Sequence, residues 1–294
     1  MLVQPSQHAS VENGRSAKPA ARPAVTTGSA RSILITVLGE LVHPNDQPVW
    51  TSSLLYMLVG MGIEQRTARQ AISRASAAGW ITGQRQGREV RWELTENGKQ
   101  LMDDGAKRIY SLHAEAGPWD GNWLILLVTI PEAQRSVRKT LYTALDWEGF
   151  GNPAPGVWVS PHIGREAQAQ KVIDDLELKA STLAFVGKAS EVGQSQQEIV
   201  DLAWNLDEVT EKYEELLIRY SGLRPPPGDP LLFTHVKLVN EWQQFPFMDP
   251  QLPAELLPNW IGRRAAVLFH QLREAWYNDA QQRWREVVKE TSPP

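Results

Sequence analysis

Six arginines fall in one short stretch of this chain, and their spacing is what could do chemistry. Over residues 61–80 the sequence reads MGIEQRTARQAISRASAAGW. Ala68, Ala71, Ile72 and Ala75 recur at i, i+3, i+4 and i+7, the pattern of a helix with one narrow buried stripe. Arg66, Arg69, Gln70, Ser73 and Arg74 fall on the opposite face. Each of these can donate to a phosphate oxygen or a base edge, and none is acidic. Gly79 is placed to end the helix. Beyond it, Val90, Trp92 and Leu94 alternate with Arg91 and Glu93, as in a hairpin with one buried face. Gly83 to Arg88 reads as its turn, with Arg85 and Arg88 at the tip and Arg91 close behind. A polar-faced helix followed by a basic hairpin is the pattern of a winged helix-turn-helix, whose helix enters the major groove and whose wing lies on the backbone.

Any one of these arginines could serve only to keep a surface wet. The set carries more weight because the chain has a net charge of −4. Between Arg31 and Leu94 there are seven arginines and no lysine against five carboxylates, so this segment is locally positive in an acidic protein. Such a patch is an electrostatic footprint for a polyanion, and double-stranded DNA is the expected partner.

The elements that must hold this face follow from the flanking sequence. Ile33 to Val42 reads as an apolar helix, Pro44 to Pro48 as a turn, and Val49-Trp50 as a short strand. Thr51 or Ser52 caps a helix to about Val59, with Gly60-Met61-Gly62 as the turn into the arginine helix. Thr95 caps a further helix to about His113. A second unit begins near Trp119. The run Trp123 to Ile130 is a strand, Glu132 to Leu145 a helix, Gly149 to Gly156 a loop, and Val157 to Ser160 a strand. Arg165 to Leu178 is then a helix and Thr182 to Val186 a strand, which suggests a ferredoxin-like sandwich. From Glu198 the chain reads as all helix: one to Tyr220, one over Leu231 to Phe245 after a proline-rich break, and a long one from Asn259 or Trp260 to about Glu290. Residues 1–30, rich in Ala, Pro, Ser and Thr without periodicity, are expected to be a disordered tail whose Arg15, Lys18 and Arg22 could brush DNA. The expected organisation is therefore α+β and multidomain: tail 1–30, winged helix-turn-helix 31–115, ferredoxin-like domain 116–195, all-α C-terminal domain 196–294.

Composition excludes several chemistries. There is no cysteine, hence no disulfide framework, thiolate zinc site or cysteine nucleophile. The six histidines form no i, i+4 pair, and no nucleophile elbow, P-loop or dinucleotide fingerprint is present. No acid/base pair stands out, so no enzyme, cofactor or metal is expected. No run of 18 apolar residues occurs, and the N-terminus lacks the apolar core of a signal peptide, so the expectation is a soluble, cytoplasmic protein.

Three ordered blocks of residues resemble the PaaX family of bacterial repressors of phenylacetic-acid catabolism. They are Gly39-Glu40-Leu41-Val42 with 62–74 and Gly79-Trp80; Trp119 to Trp123 with Gly149-Phe150-Gly151 and 156–161; and Ala203 to Asp207 with Glu241-Trp242 through Pro253. The resemblance covers about 31–290 and leaves out the N-terminal tail. It implies a winged-helix domain, a ferredoxin-like middle domain and a helical C-terminal domain. It also implies a homodimeric repressor released by an aryl-CoA thioester, typically phenylacetyl-CoA. Such a thioester needs cations for phosphate and aromatic walls for its acyl group. Arg263 and Arg264 beside Trp242, Phe245, Phe247 and Trp260 are the residues expected to provide them. The middle domain also resembles small CRISPR-associated nucleases, which carry a metal-binding Asp at the end of the first strand. Here that position is Thr129, which lacks the anionic oxygen Mg²⁺ prefers. The alternative to a ligand-released repressor is an interaction or adaptor protein, or a degenerate nuclease.

Overall fold

The structure, a computed structural model, describes residues 28–113, 117–190 and 192–293. The expected tail lies outside the described residues except for Gly28, Ser29 and Ala30. Ser29 is an N-cap, its hydroxyl accepting from the Ser32 N–H at 3.2 Å.

The helix it caps, α1 (Ala30–Val37), runs on into a π-helical turn over Leu38–Val42. Ile33, Leu34, Val37, Leu38 and Leu41 are buried along this rod. Then come β1 (Val49–Trp50), α2 (Thr51–Gly60), α3 (Gln65–Ala77), β2 (Ile81–Gln86), β3 (Glu89–Leu94) and α4 (Glu96–Tyr110). The three strands form an antiparallel sheet in the order β1-β3-β2. Ala68, Ala71, Ile72 and Ala75 are the buried residues of α3, as the spacing predicts. Three of the four are alanines, which lets α3 lie close to both α1 and α2. The hairpin is tighter than expected. Its loop is Gly87-Arg88, with Gly87 at φ 63°, and Gly83 is a strand residue paired with Trp92. A Cβ at Gly83 would sit 2.7 Å from the Trp92 ring, so the glycine is there to let the indole cross the sheet.

The middle unit has β4 (Trp123–Val128), α5 (Arg135–Trp147), β5 (Gly151–Ala154), β6 (Val157–Ser160), α6 (Glu166–Asp175) and β7 (Thr182–Gly187). Its sheet is antiparallel throughout in the order β5-β6-β4-β7, the ferredoxin-like arrangement. The expected loop over 149–156 contains β5, an edge strand that tolerates Pro153. Leu124, Leu126, Val128 and Trp158 are covered by Leu141 and Leu145 of α5 and Ala169 and Ile173 of α6.

The third segment has α7 (Gln196–Ala203), α8 (Asp207–Tyr220), α9 (Asp229–Trp242), a 3-10 turn over Phe245–Phe247 and α10 (Ile261–Glu290). The single helix expected from Glu198 to Tyr220 is broken at 204–206. There Trp204 lies against Gly151 of β5, where a Cβ would meet the indole at 2.5 Å. The break lets α7 pack on the middle unit while α8, α9 and α10 pack on one another and on the first unit. One hydrophobic core runs through both: Ile33, Leu34 and Val37 of α1 belong with Leu232 and Val236 of α9 and Phe269 of α10. A buried polar seam follows it, Asn240 Nδ2 donating to Ser32 Oγ at 2.8 Å and to Thr36 Oγ1 at 3.0 Å.

Candidate nucleic-acid interface and junction cleft

The helix that presents the arginines is entered by a turn with no slack. Gly62 takes φ 86°, Ile63 N–H bonds to Leu58 O at 2.9 Å, and Glu64 is in extended backbone at the N-cap of α3. Behind the turn lies Phe233 of α9, so close to Gly60 that a Cβ there would overlap its ring. At the far end Gly79 takes φ 72° and Trp80 N–H closes on Ala75 O at 3.0 Å. Between these ends Arg66, Arg69, Gln70, Ser73 and Arg74 are all exposed. Among the described residues none of these arginines, nor Arg85 or Arg88, has a salt-bridge partner. Arg85 and Arg88 are exposed at the hairpin tip. Arg91 is set back: it pairs with Trp50 and Gln84 in the sheet, and its guanidinium lies 5.8 Å from the Trp50 ring centroid. What this surface can do chemically is hold an extended polyanion, since its cations have no carboxylate to leave.

A second feature sits where the three segments meet. A cleft of about 600 Å³ is lined by the last turn of α4, the end of α5, the α7–α8 break, α8 and the 244–251 turn. Trp147 and Phe247 face each other across 4.8 Å between ring centroids, and Arg108 lies 5.0 Å from the Phe247 centroid. Arg165 and Lys212 add cations: Arg165 donates to Glu148 O at 2.7 Å, and Lys212 stands 3.5 Å from Glu208. Burial raises the Asp146 carboxyl above its usual range.

Asp249 also lines this cleft and is held from several sides. Its Oδ2 accepts from Trp260 Nε1 at 2.7 Å, from His113 Nε2 at 2.8 Å and from the Tyr213 hydroxyl at 2.8 Å, and Oδ1 takes the Gln251 N–H at 2.6 Å. Burial alone would raise this carboxyl; the hydrogen bonds and the His113 charge outweigh it and hold the group low. Gly262 opens α10 beside this knot, where a Cβ would be 2.5 Å from both His113 Nε2 and Trp260 Nε1.

Of the residues expected to hold a thioester, Trp242, Phe245 and Trp260 do come together, around Tyr213, but inside the core rather than around an opening. Trp242 and Phe245 are wholly buried in the shared core, and the Trp260 N–H is engaged by Asp249. Arg263 is turned onto the carbonyls of Leu257, Pro258 and Leu252 in the preceding loop. Arg264 is exposed on α10, outside the cleft. Of the six, Phe247 lines the cleft. Apart from its neighbours in the 244–251 turn, the cleft residues come from segments far apart in sequence, so no local spacing marks the set.

Sequence reading also passed over Glu40. It is buried in the π-helical turn after α1, and His235 Nε2 of α9 donates to it at 3.0 Å. Arg273 of α10 donates through Nε and Nη2, each at 3.2 Å, and Tyr110 of α4 donates its hydroxyl. Burial would raise this carboxyl, but the His235 hydrogen bond and the Arg273 charge bring it down to about 2. One carboxylate thus ties four helical elements of the first and third segments.

After β4, at the position where the small nucleases carry an aspartate, Thr129 is exposed with its N–H on Ser181 O at 2.9 Å. Among the described residues no three His, Asp or Glu side chains group as a metal site would require. No helix there is long and apolar enough to cross a membrane.

Comparison with known proteins places each segment. Residues 29–98 match the family model described as PaaX-like protein, residues 116–200 that of the PaaX protein central Cas2-like domain, and residues 204–286 that of the PaaX-like protein C-terminal domain. The Escherichia coli (strain K12) protein named Transcriptional repressor PaaX is 27% identical over 252 residues, covering 82% of this chain and 78% of that protein. An uncharacterized Mycobacterium tuberculosis protein, Rv0674, has a similar fold, with TM-score 0.57 and 22% identity over 90% of this chain and 99% of that one.

Proposed function

The chain belongs to the PaaX family, and from that premise we propose that it is a DNA-binding transcriptional repressor rather than an enzyme. In this reading α2, α3 and the β2–β3 hairpin form a winged helix-turn-helix. The observation that carries it is the carboxylate-free arginine face of α3. Arg69, Gln70, Ser73 and Arg74 read base edges in the major groove, Arg66 takes phosphate at the start of the helix, and Arg85 and Arg88 rest on the backbone. Arg91, stacked on Trp50, braces the hairpin beside them.

The genes controlled are those of an aromatic-acid catabolic operon, and the releasing signal is an aryl-CoA thioester such as phenylacetyl-CoA. Its site is the junction cleft, where the Trp147–Phe247 pair suits an aryl group and Arg108 and Lys212 suit phosphates. The repressor acts as a homodimer on a pseudo-palindrome with half-sites about 10 base pairs apart, or a multiple of that. Pairing through β7 is supported by its position at a sheet edge and by Leu183, Phe185 and Leu127, which leave an apolar strip exposed on the face away from α5 and α6.

The test is operator binding by Arg69→Ala and Arg74→Ala. Each change is expected to weaken operator binding by about 1–3 kcal/mol, roughly 5- to 150-fold, while binding to scrambled DNA falls much less. Wild-type discrimination in both variants would remove α3 from the reading role.

A further inference from the structure

Helix α4 touches both the unit that carries the arginines and the cleft. Its first turn is clamped where α3 ends. Thr95 caps α4, its hydroxyl accepting from Gly98 N–H at 3.0 Å and donating to Gly79 O at 2.6 Å, and Thr95 N–H bonds to Trp80 O at 3.0 Å. Gly98 lies so tightly on Trp80 that a Cβ would stand 2.0 Å from the carbonyl oxygen. No side chain fits there, and no movement of α4 toward Trp80 is free of cost.

The last turn of α4 is tied to the cleft. Arg108 covers the Phe247 ring, the Trp242 indole donates to Ile109 O at 3.1 Å, and Tyr110 donates to Glu40. Just past the helix, His113 takes φ 58° and bonds Asp249, which lines the cleft. Between the two ends are 15 helical residues, about 22 Å.

We propose that α4 is the lever through which an occupant of the cleft changes the set of α3, with Tyr110 as a positioning residue. The proposal rests on the reading that the cleft takes an anionic aryl ligand. Such a ligand draws Arg108 from Phe247 and packs its aryl group against the Trp147–Phe247 pair, so the last turn of α4 must shift. A hydrogen-bonded helix moves as a body, and the displacement arrives at Gly98 against Trp80, next to the C-cap of α3. Tyr110 fixes the direction, because Glu40 anchors it to α1, α9 and α10 at once. A rival path exists along α10. That helix has Gly262 of its first turn beside Asp249 and ends by Thr291, whose carbonyl accepts from Ser52 Oγ at 2.7 Å. It reaches the start of α2, whereas α4 reaches the end of α3 itself.

The experiment uses the full chain in two arms. In the first, phenylacetyl-CoA binding by calorimetry and operator affinity with and without saturating thioester are measured for wild type, Tyr110→Phe and Tyr56→Phe. Tyr110→Phe keeps the ring stacked on Phe269 and removes the hydroxyl. Tyr56→Phe breaks the α2 contact to Asp229 and Arg283 on the rival path. Tyr110→Phe is expected to bind thioester and operator within about twofold of wild type, yet its thioester-induced drop in operator affinity shrinks at least fivefold. Tyr56→Phe should keep the wild-type drop. A full drop in Tyr110→Phe, or loss in Tyr56→Phe alone, overturns the proposal.

The second arm needs no ligand. Hydrogen exchange is compared between wild type and Phe247→Ala, which removes the ring under Arg108. The lever requires altered exchange at 76–80 and 96–100 as well as at 105–110; a change confined to 105–113 overturns it. If wild type binds no phenylacetyl-CoA, the effector reading fails, and this arm still decides the lever.

Discussion

Among the described residues Arg69 and Arg74 on α3 stand exposed without a carboxylate, whereas Arg273 and Arg283 on α10 each reach a carboxylate on another element. Arg273 reaches Glu40 across the junction at 3.2 Å, and Arg283 reaches Asp229 at 2.8 Å and Glu290 at 2.7 Å. The residue type is the same and the physics is opposite. A guanidinium with a partner inside the chain is part of the fold, and its removal strands a counter-charge. One without a partner contributes nothing to stability and remains available to a phosphate. Five such arginines, Arg66, Arg69, Arg74, Arg85 and Arg88, gather on α3 and the hairpin tip, while Arg273 ties α10 to the first segment and Arg283 ties α10 to α9.

The largest effect that would sharpen this contrast is on stability. Glu40→Ala leaves Arg273 and His235 without their anion in a buried site, and is expected to lower unfolding free energy by about 3–5 kcal/mol. Arg69→Ala should stay within about 0.5 kcal/mol of wild type. Urea denaturation of the two variants decides; a Glu40→Ala midpoint equal to that of wild type would erase the distinction.

Acid titration is the next step down. The Glu40 carboxyl is depressed from 4.5 to about 2, so its ionised form is favoured in the fold. That stabilisation is complete above about pH 4.5 and drains away as pH falls toward 2, with a ceiling of about 3 kcal/mol. Melting temperatures measured from pH 6 down to pH 3 should fall more steeply for wild type than for Glu40→Gln, which has no proton to gain. Parallel curves would mean that Glu40 is not the group being titrated.

Arg85 and Arg88 mark the smallest effect. Replacing either by alanine should leave melting unchanged and lower the salt dependence of DNA binding by about one unit of slope, for operator and scrambled DNA alike. A slope identical to wild type would place the hairpin tip off the DNA.

The legible parts of this molecule are those whose signal is local. Alanines at i, i+3, i+4 and i+7 give α3 its buried stripe, and the exposed arginines follow by elimination. Trp123 to Val128 is apolar at every position and of strand length, bounded by Pro131, which suits a strand buried centrally. Strand β5 escaped because Gly149-Phe150-Gly151-Asn152-Pro153 carries turn residues, and it is held in the sheet by pairing with β6 and by the indole of Trp204. The cleft escaped for a different reason. Trp242, Phe245 and Trp260 look like pocket walls when read along the chain, yet α8 and α10 close over them, and only Phe247 faces the opening. Arg263 follows the same rule, since which carbonyls need a donor is known only once the loop before α10 has folded.

The core shared by α1, α9 and α10 also bears on how the chain is made. Ile33, Leu34 and Val37 leave the ribosome about 200 residues before Leu232, Val236 and Val239, so at about 5–20 residues per second α1 waits on the order of ten to forty seconds for its cover. During that interval the apolar side of the first segment faces solvent or a chaperone. A fragment ending after α4 would keep that side open permanently and is a candidate for aggregation rather than a portable module. The segment that carries the exposed arginines is synthesised first and completed last.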